Sequence, residues 1–132
     1  MPAISALYAA LIVLLLIALA VPISRLRRSR RVGLGDGGDQ DLARAIRVHA
    51  NLLEWALPAL LLLLIAELTR ASPVLLHACG IALVVARILH AFGLTRSGGY
   101  SFGRFWGTGV TWAVLLVLAG WNLWAFARLA LV

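Results

Sequence analysis

The chain has no lysine; all twelve of its basic residues are arginine. That absence reads as a compositional bias of the source and not as mechanism. Acidic residues are also scarce, five in 132, and charged residues of both signs make up only 13%. Set against 63% hydrophobic residues and a mean hydropathy of +0.99, this excludes an ordinary soluble domain and points to an integral membrane protein. The single cysteine, Cys79, excludes an intrachain disulfide and reads as a small buried hydrophobe in an apolar run. No charged side chain occurs in the first 23 residues. That gap argues against a small four-helix drug exporter, which depends on an acidic residue in its first membrane helix.

What is present is an all-α pattern of four apolar runs, at residues 3–23, 50–69, 73–94 and 105–127. Each is long enough to cross the hydrocarbon at about 1.5 Å per residue. The length suits one domain, residues 1–132. Arginines follow the first run instead of preceding it, the wrong order for a cleaved signal peptide. A Gly/Asp-rich loop comes next at 33–39, and Asp41 is placed to start a second helix outside the membrane. Ser72 and Pro73 end that helix and start the third, as N-cap and first helical residue. So short a turn makes helices two and three antiparallel neighbours.

The net charge of +7 raises the question of nucleic acid, but the arginines cluster in loops beside apolar spans. Seven lie between helices one and two, and Arg96 and Arg104 lie between three and four. Only Arg70 and Arg128 belong to the opposite side. Membrane orientation accounts for this placement, with both long loops in the cytoplasm, both termini outside and no nucleic-acid partner. Trp55 and Trp106 then fall near the inner boundary, and Trp121 and Trp124 near the outer one.

Ionisable residues inside membrane helices are costly and usually face a partner or a wet cavity. On helix two, Arg44, Arg47, Asn51, Glu54 and Pro58 share an arc of about 80° at 100° per residue. On helix three, Arg87, His90 and Leu94 share a face. Glu54 and His90 each lie 18 residues from Ser72 and Arg87 lies 15, so the three are expected at one level, roughly 27 Å of helix from the turn. Pro58, lacking an N–H, frees the carbonyl of Glu54.

The bland reading is a structural Glu54–Arg87 pair that locks two helices together. The stripe continues through Asn51 and Arg47 toward the cytoplasmic arginines, which favours a ligand site instead. Guanidinium forks bind carboxylates bidentately, so the pocket suits a small anion. An acidic residue among them suits a ligand that also bears an ammonium. A thiol held beside arginine loses its proton more readily and becomes nucleophilic. His49 and Glu67 fall outside the stripe, and they read as an interfacial histidine and a carboxylate snorkelling at the outer boundary. His77 reads as a packing or hydrogen-bonding residue. No metal site is expected.

The string Arg47-Val-His-Ala-Asn51-Leu-Leu-Glu54-Trp-Ala-Leu-Pro58, followed by Arg87-Ile-Leu-His90-Ala-Phe-Gly-Leu94, resembles the MAPEG family, membrane-associated proteins of eicosanoid and glutathione metabolism. The resemblance spans nearly the whole chain. The Ile4-Ser-Ala-Leu-Tyr-Ala start, the Gly35-Asp-Gly-Gly38 loop and Leu76-His-Ala-Cys-Gly-Ile81 are similar to a bacterial inner-membrane branch. It implies a homotrimer of four-helix bundles that binds glutathione between subunits near the cytoplasmic boundary. It also implies a transferase or peroxidase acting on a lipophilic electrophile that arrives through membrane lipid. Carried over by position, Arg47, Asn51, Glu54, Arg87 and His90 hold the tripeptide. Arg104 stabilises the thiolate, and Arg27 and Arg28 supply further basic contacts.

Arg96-Ser97-x-x-Tyr100 also looks like a motif of one branch, but it begins six residues after His90. Arg104 lies 14 after, a separation that better suits the crossing from helix three to four. Leu94 stands where some members have tyrosine, and Ala50 where some have a second basic residue. Both departures weaken any link to a particular eicosanoid reaction. The family also includes a type that binds lipid and activates a partner without catalysis, so a non-catalytic lipid-binding or scaffold protein is the alternative.

Overall fold

The computed structural model describes residues 1–96 and 99–130. Within them lie four helices: α1 (Ala3–Arg30), α2 (Gln40–Leu68), α3 (Pro73–Arg96) and α4 (Phe102–Ala130). No strand occurs among the described residues. Each helix is long and apolar enough to cross a membrane. The fold is an all-α, four-transmembrane-helix arrangement.

Helix α1 runs seven residues beyond Ile23, roughly another 10 Å. Arg27, Arg28 and Arg30 occupy its last turn, where cations complement the partial negative charge of the helix end. The start of α4 also lies earlier than residue 105. Ser101 caps it, accepting from the Arg104 N–H at 3.3 Å through its hydroxyl and from the Phe105 N–H at 3.1 Å through its carbonyl. Between α2 and α3, the Ser72 hydroxyl accepts from the Leu75 N–H at 3.2 Å, with Pro73 as first helical residue.

Asp39 starts α2. Its carboxylate accepts from the Leu42 N–H at 2.9 Å and the Asp41 N–H at 3.0 Å, and it pairs with Arg30 at 2.8 Å. The Leu42 bond above all, aided by Arg30, holds this carboxyl below its ordinary value. A depressed carboxylate stabilises the fold above its unfolded pKa, about 3.9, and loses that contribution as pH falls through the folded value. Exchange protection of the Leu42 amide is therefore expected to be full at pH 5 and reduced near pH 3. In Asp39→Asn, which keeps an N-cap acceptor but cannot titrate, the loss is expected to vanish.

Helices α2 and α3 form the centre. Helix α1 packs on both and α4 packs on both, while the backbones of α1 and α4 do not approach each other closely. The most apolar stretch of α3 is 44% buried and that of α1 only 17%, so α1 and α4 are the outer edges. Leu63, Ala66, Leu76, Leu83 and Leu118 join α2, α3 and α4 in the main core, and Ile12 of α1 packs with Leu52 and Ala56 of α2.

At the end of the bundle that carries the α2–α3 turn, polar groups tie α1 down. Glu67 does not snorkel. Its two oxygens accept from the Ile4 N–H at 2.9 Å and the Ser5 N–H at 2.7 Å, capping a helix whose own N-cap residue, Pro2, offers no side-chain acceptor. His77 Nδ1 lies 2.8 Å from the hydroxyl of buried Tyr8. Loss of a capping acceptor costs about 1 kcal/mol. Glu67→Ala is therefore expected to lower thermal stability in detergent by about that amount and to expose the first turn of α1 to exchange.

Candidate functional site

The expected polar residues lie toward the opposite end, where α2, α3 and α4 meet. Arg87, on α3, is 1% exposed. Its Nη2 donates to Asn51 Oδ1 at 2.6 Å and to the Asn51 carbonyl at 3.3 Å, bridging α3 to α2. The same nitrogen lies 3.3 Å from His90 Nδ1. A guanidinium has donors only, so this contact uses the lone pair of Nδ1. The His90 ring is therefore neutral, with its proton on Nε2.

The structural Glu54–Arg87 pair that their common depth allows is not formed, and the two side chains do not converge. Glu54 takes Arg47 instead, in a bidentate contact at 3.0 and 3.2 Å, one turn pair along the same helix face. Both side chains are open, 45% exposed for Glu54 and 61% for Arg47. The helix geometry explains the split. Positions 47 and 54 are only about 20° apart around α2, whereas Asn51 is displaced from Glu54 by about 60°, and it is Asn51 that reaches Arg87. Arg87 therefore sits sealed between helices with neutral partners. Its Nε is buried and has no hydrogen-bond partner among the described residues.

His90 carries this polar chain to an opening. It lines a groove of about 730 Å³ together with Tyr100, Ser101, Arg104, Phe105 and Trp112. Arg104 Nη1 donates to the carbonyl of Gly99, which folds the side chain along the groove wall. The lining thus combines cationic and hydrogen-bonding groups with aromatic rings. Ser97 of the Arg-Ser-x-x-Tyr string lies outside the described residues. Tyr100 lies inside the groove, and Arg96 stacks on Phe92 with its guanidinium carbon 3.9 Å from the ring centre.

Arg27 and Arg28 are elsewhere in the chain. Arg27 Nη1 donates to the Gly33 carbonyl at 3.1 Å, tying down the loop after α1, and Arg28 lines a separate groove on the open face of α1. Because α1 and α4 sit at opposite edges, these residues do not share the groove of Arg104 within one chain.

Sequence reading missed the seam that positions His90 and Arg104. A Cβ on Gly107 would lie 2.6 Å from the Ala86 carbonyl and 2.8 Å from His90 Cβ, and one on Gly103 would lie 2.5 Å from the Leu89 carbonyl. Two glycines four apart let α4 press against the backbone of α3. Their spacing was visible in the sequence, and Arg104 stands beside the first of them.

The model of the MAPEG family matches residues 5–124. Two bacterial relatives, the inner membrane protein YecN of Escherichia coli strain K12 and that of strain CFT073, are each 39% identical over 121 residues. Those alignments cover 92% of this chain and 91% of each relative. With the four membrane-length helices and near-complete coverage, they show that this chain belongs to the MAPEG family.

Proposed function

We propose that this protein binds glutathione as its thiolate and transfers it to lipophilic electrophiles, or uses it to reduce lipophilic peroxides. The observation that carries this reading is the buried charge of Arg87. Among the described residues no carboxylate touches it and its Nε has no hydrogen-bond partner, and a groove lined by His90 and Arg104 opens beside it. Such an arrangement favours an anionic ligand, since fixed donors in a site screened from water stabilise negative charge strongly. Arg47 and Glu54 offer a cation and an anion at the open surface, which matches a zwitterionic peptide end. Asn51 and Arg87 brace the interior, and His90 Nε2–H donates from the groove wall. Tyr100, Phe105 and Trp112 give the electrophile an apolar surface reached from the bilayer.

If Arg28 or Arg27 touches the same glutathione as Arg104, the two must come from different copies, because α1 and α4 lie on opposite edges. That arrangement suits an oligomer with the ligand between subunits, such as the homotrimer that the family resemblance implies. The arginine-rich loops then face the cytoplasm of a bacterial inner membrane, and both termini face the periplasm.

Calorimetry on purified protein tests the binding step. Saturable heat with glutathione and none with free cysteine at the same concentration is expected. Absence of heat with glutathione, together with heat from a fatty acid, would replace this reading with a lipid-binding one.

A further inference from the structure

Arg70 and Arg128, at the end of the bundle that carries the α2–α3 turn, line one pocket remote from the candidate site. It has a volume of about 240 Å³, lies between the α2–α3 turn and the end of α4, and is lined by Thr69, Arg70, Trp121, Trp124 and Arg128. At about 30 Å³ per water, that is space for roughly eight waters, enough for a phosphodiester. The floor is ordered. The Trp121 and Trp124 rings lie 4.8 Å apart, Trp121 Nε1 donates to Thr69 Oγ1 at 3.2 Å, and the Arg128 guanidinium carbon stands 5.4 Å from the centre of the Trp124 ring.

Neither guanidinium has an ion pair among the described residues. Glu67, only three residues from Arg70, is occupied by the Ile4 and Ser5 N–H groups. Arg70 also stands where another residue fits better. Its φ is 63°, in the left-handed region, and it closes α2 through Arg70 N–H to Glu67 carbonyl and Ala71 N–H to Ala66 carbonyl bonds. Glycine is the usual occupant of that position because it alone takes this backbone without strain. Arg128 lines the same pocket, also with no ion pair among the described residues, and two such cations at one pocket suit an anion.

We propose that this pocket holds the phosphate of an anionic phospholipid headgroup. Guanidinium forks match phosphate geometry, and tryptophans such as Trp121 and Trp124 at the end of a membrane-length helix suit the headgroup level. The occupant is a lipid and not a soluble phosphate because the pocket is walled by indoles at the end of a membrane-crossing helix. Leu123 and Phe126, also near that end of α4, are 71% and 70% exposed and give acyl chains a surface.

The test is thermal unfolding of the detergent-purified full chain with added phosphatidylglycerol, phosphatidylcholine or glycerol phosphate. Phosphatidylglycerol is expected to raise Tm of the parent clearly more than the other two. The effect is expected to fall at least fivefold in Arg70→Gln/Arg128→Gln, and to persist in the charge-matched Arg44→Gln/Arg96→Gln at the other end. Arg70→Gly separates folding from binding. Its Tm without lipid is expected to equal or exceed that of the parent, while its response to phosphatidylglycerol drops. Equal shifts from phosphatidylcholine, or an undiminished shift in the double variant, would overturn the proposal. Protection by glycerol phosphate equal to that by phosphatidylglycerol would overturn the lipid assignment. None of these outcomes depends on glutathione binding.

Discussion

Arg104→Ala is expected to lower kcat for conjugation of a chlorinated nitrobenzene at pH 7 by roughly 10²- to 10³-fold, the usual cost of removing one donor from a developing or bound anion. Glutathione affinity at pH 7 should fall less, by roughly tenfold, because ionisation in the site is linked to binding, while on the proposed reading the peptide itself is held by Arg47, Asn51, Glu54 and the Arg87–His90 pair. The pH profile separates this role from a structural one. In the parent, thiolate is already formed at neutral pH and the rate should vary little between pH 7 and 9. In the variant, the thiol returns to an ordinary pKa of about 8.5, so its rate should climb across that window and recover part of the deficit. Steady-state kinetics at several pH values, with the dissociation constant measured by calorimetry, decide the matter. Equal rates in variant and parent would remove Arg104 from the mechanism.

The second large effect is expected at Gly107. A valine there must displace the Ala86 carbonyl and the backbone of His90, and backbone cannot swing aside as a side chain can. Overpacking of this kind costs about 1–3 kcal/mol, and this site belongs at the upper end. Because the same residues carry His90, Gly107→Val should also weaken glutathione binding, which a purely remote defect would not do. Gly120 provides the control, since an added Cβ there has nothing within 4 Å; Gly120→Ala should shift stability by less than about 1 kcal/mol. Thermal midpoints in detergent for the two variants, with calorimetry on whichever remains folded, give both readouts.

The helices and the level of the site were legible because they follow local rules. Long apolar runs define the spans, Ser72 and Pro73 set the turn between α2 and α3, and a period of 3.6 aligns Arg47, Asn51 and Glu54. Counting from the turn brought Arg87 and His90 to the level of Glu54, about one turn short of Asn51. The partner each charge takes was not legible. Depth places Glu54 and Arg87 together, but a rotation of tens of degrees about α2 decides that Asn51 faces α3 while Glu54 turns to Arg47. The cap that Glu67 places on α1 spans more than sixty residues, and no short-range pattern encodes it. The Gly103 and Gly107 seam was written in the sequence, yet its meaning depends on α3 lying opposite.

The most direct measurement is the ultraviolet absorbance of thiolate during titration of the purified protein with glutathione at pH 7, with released protons counted in weak buffer. A saturating band, accompanied by close to one proton per bound tripeptide and absent in Arg104→Ala, is the predicted result. Saturable heat of binding with no thiolate band and no proton release would contradict it, leaving a protein that holds glutathione without activating its sulfur.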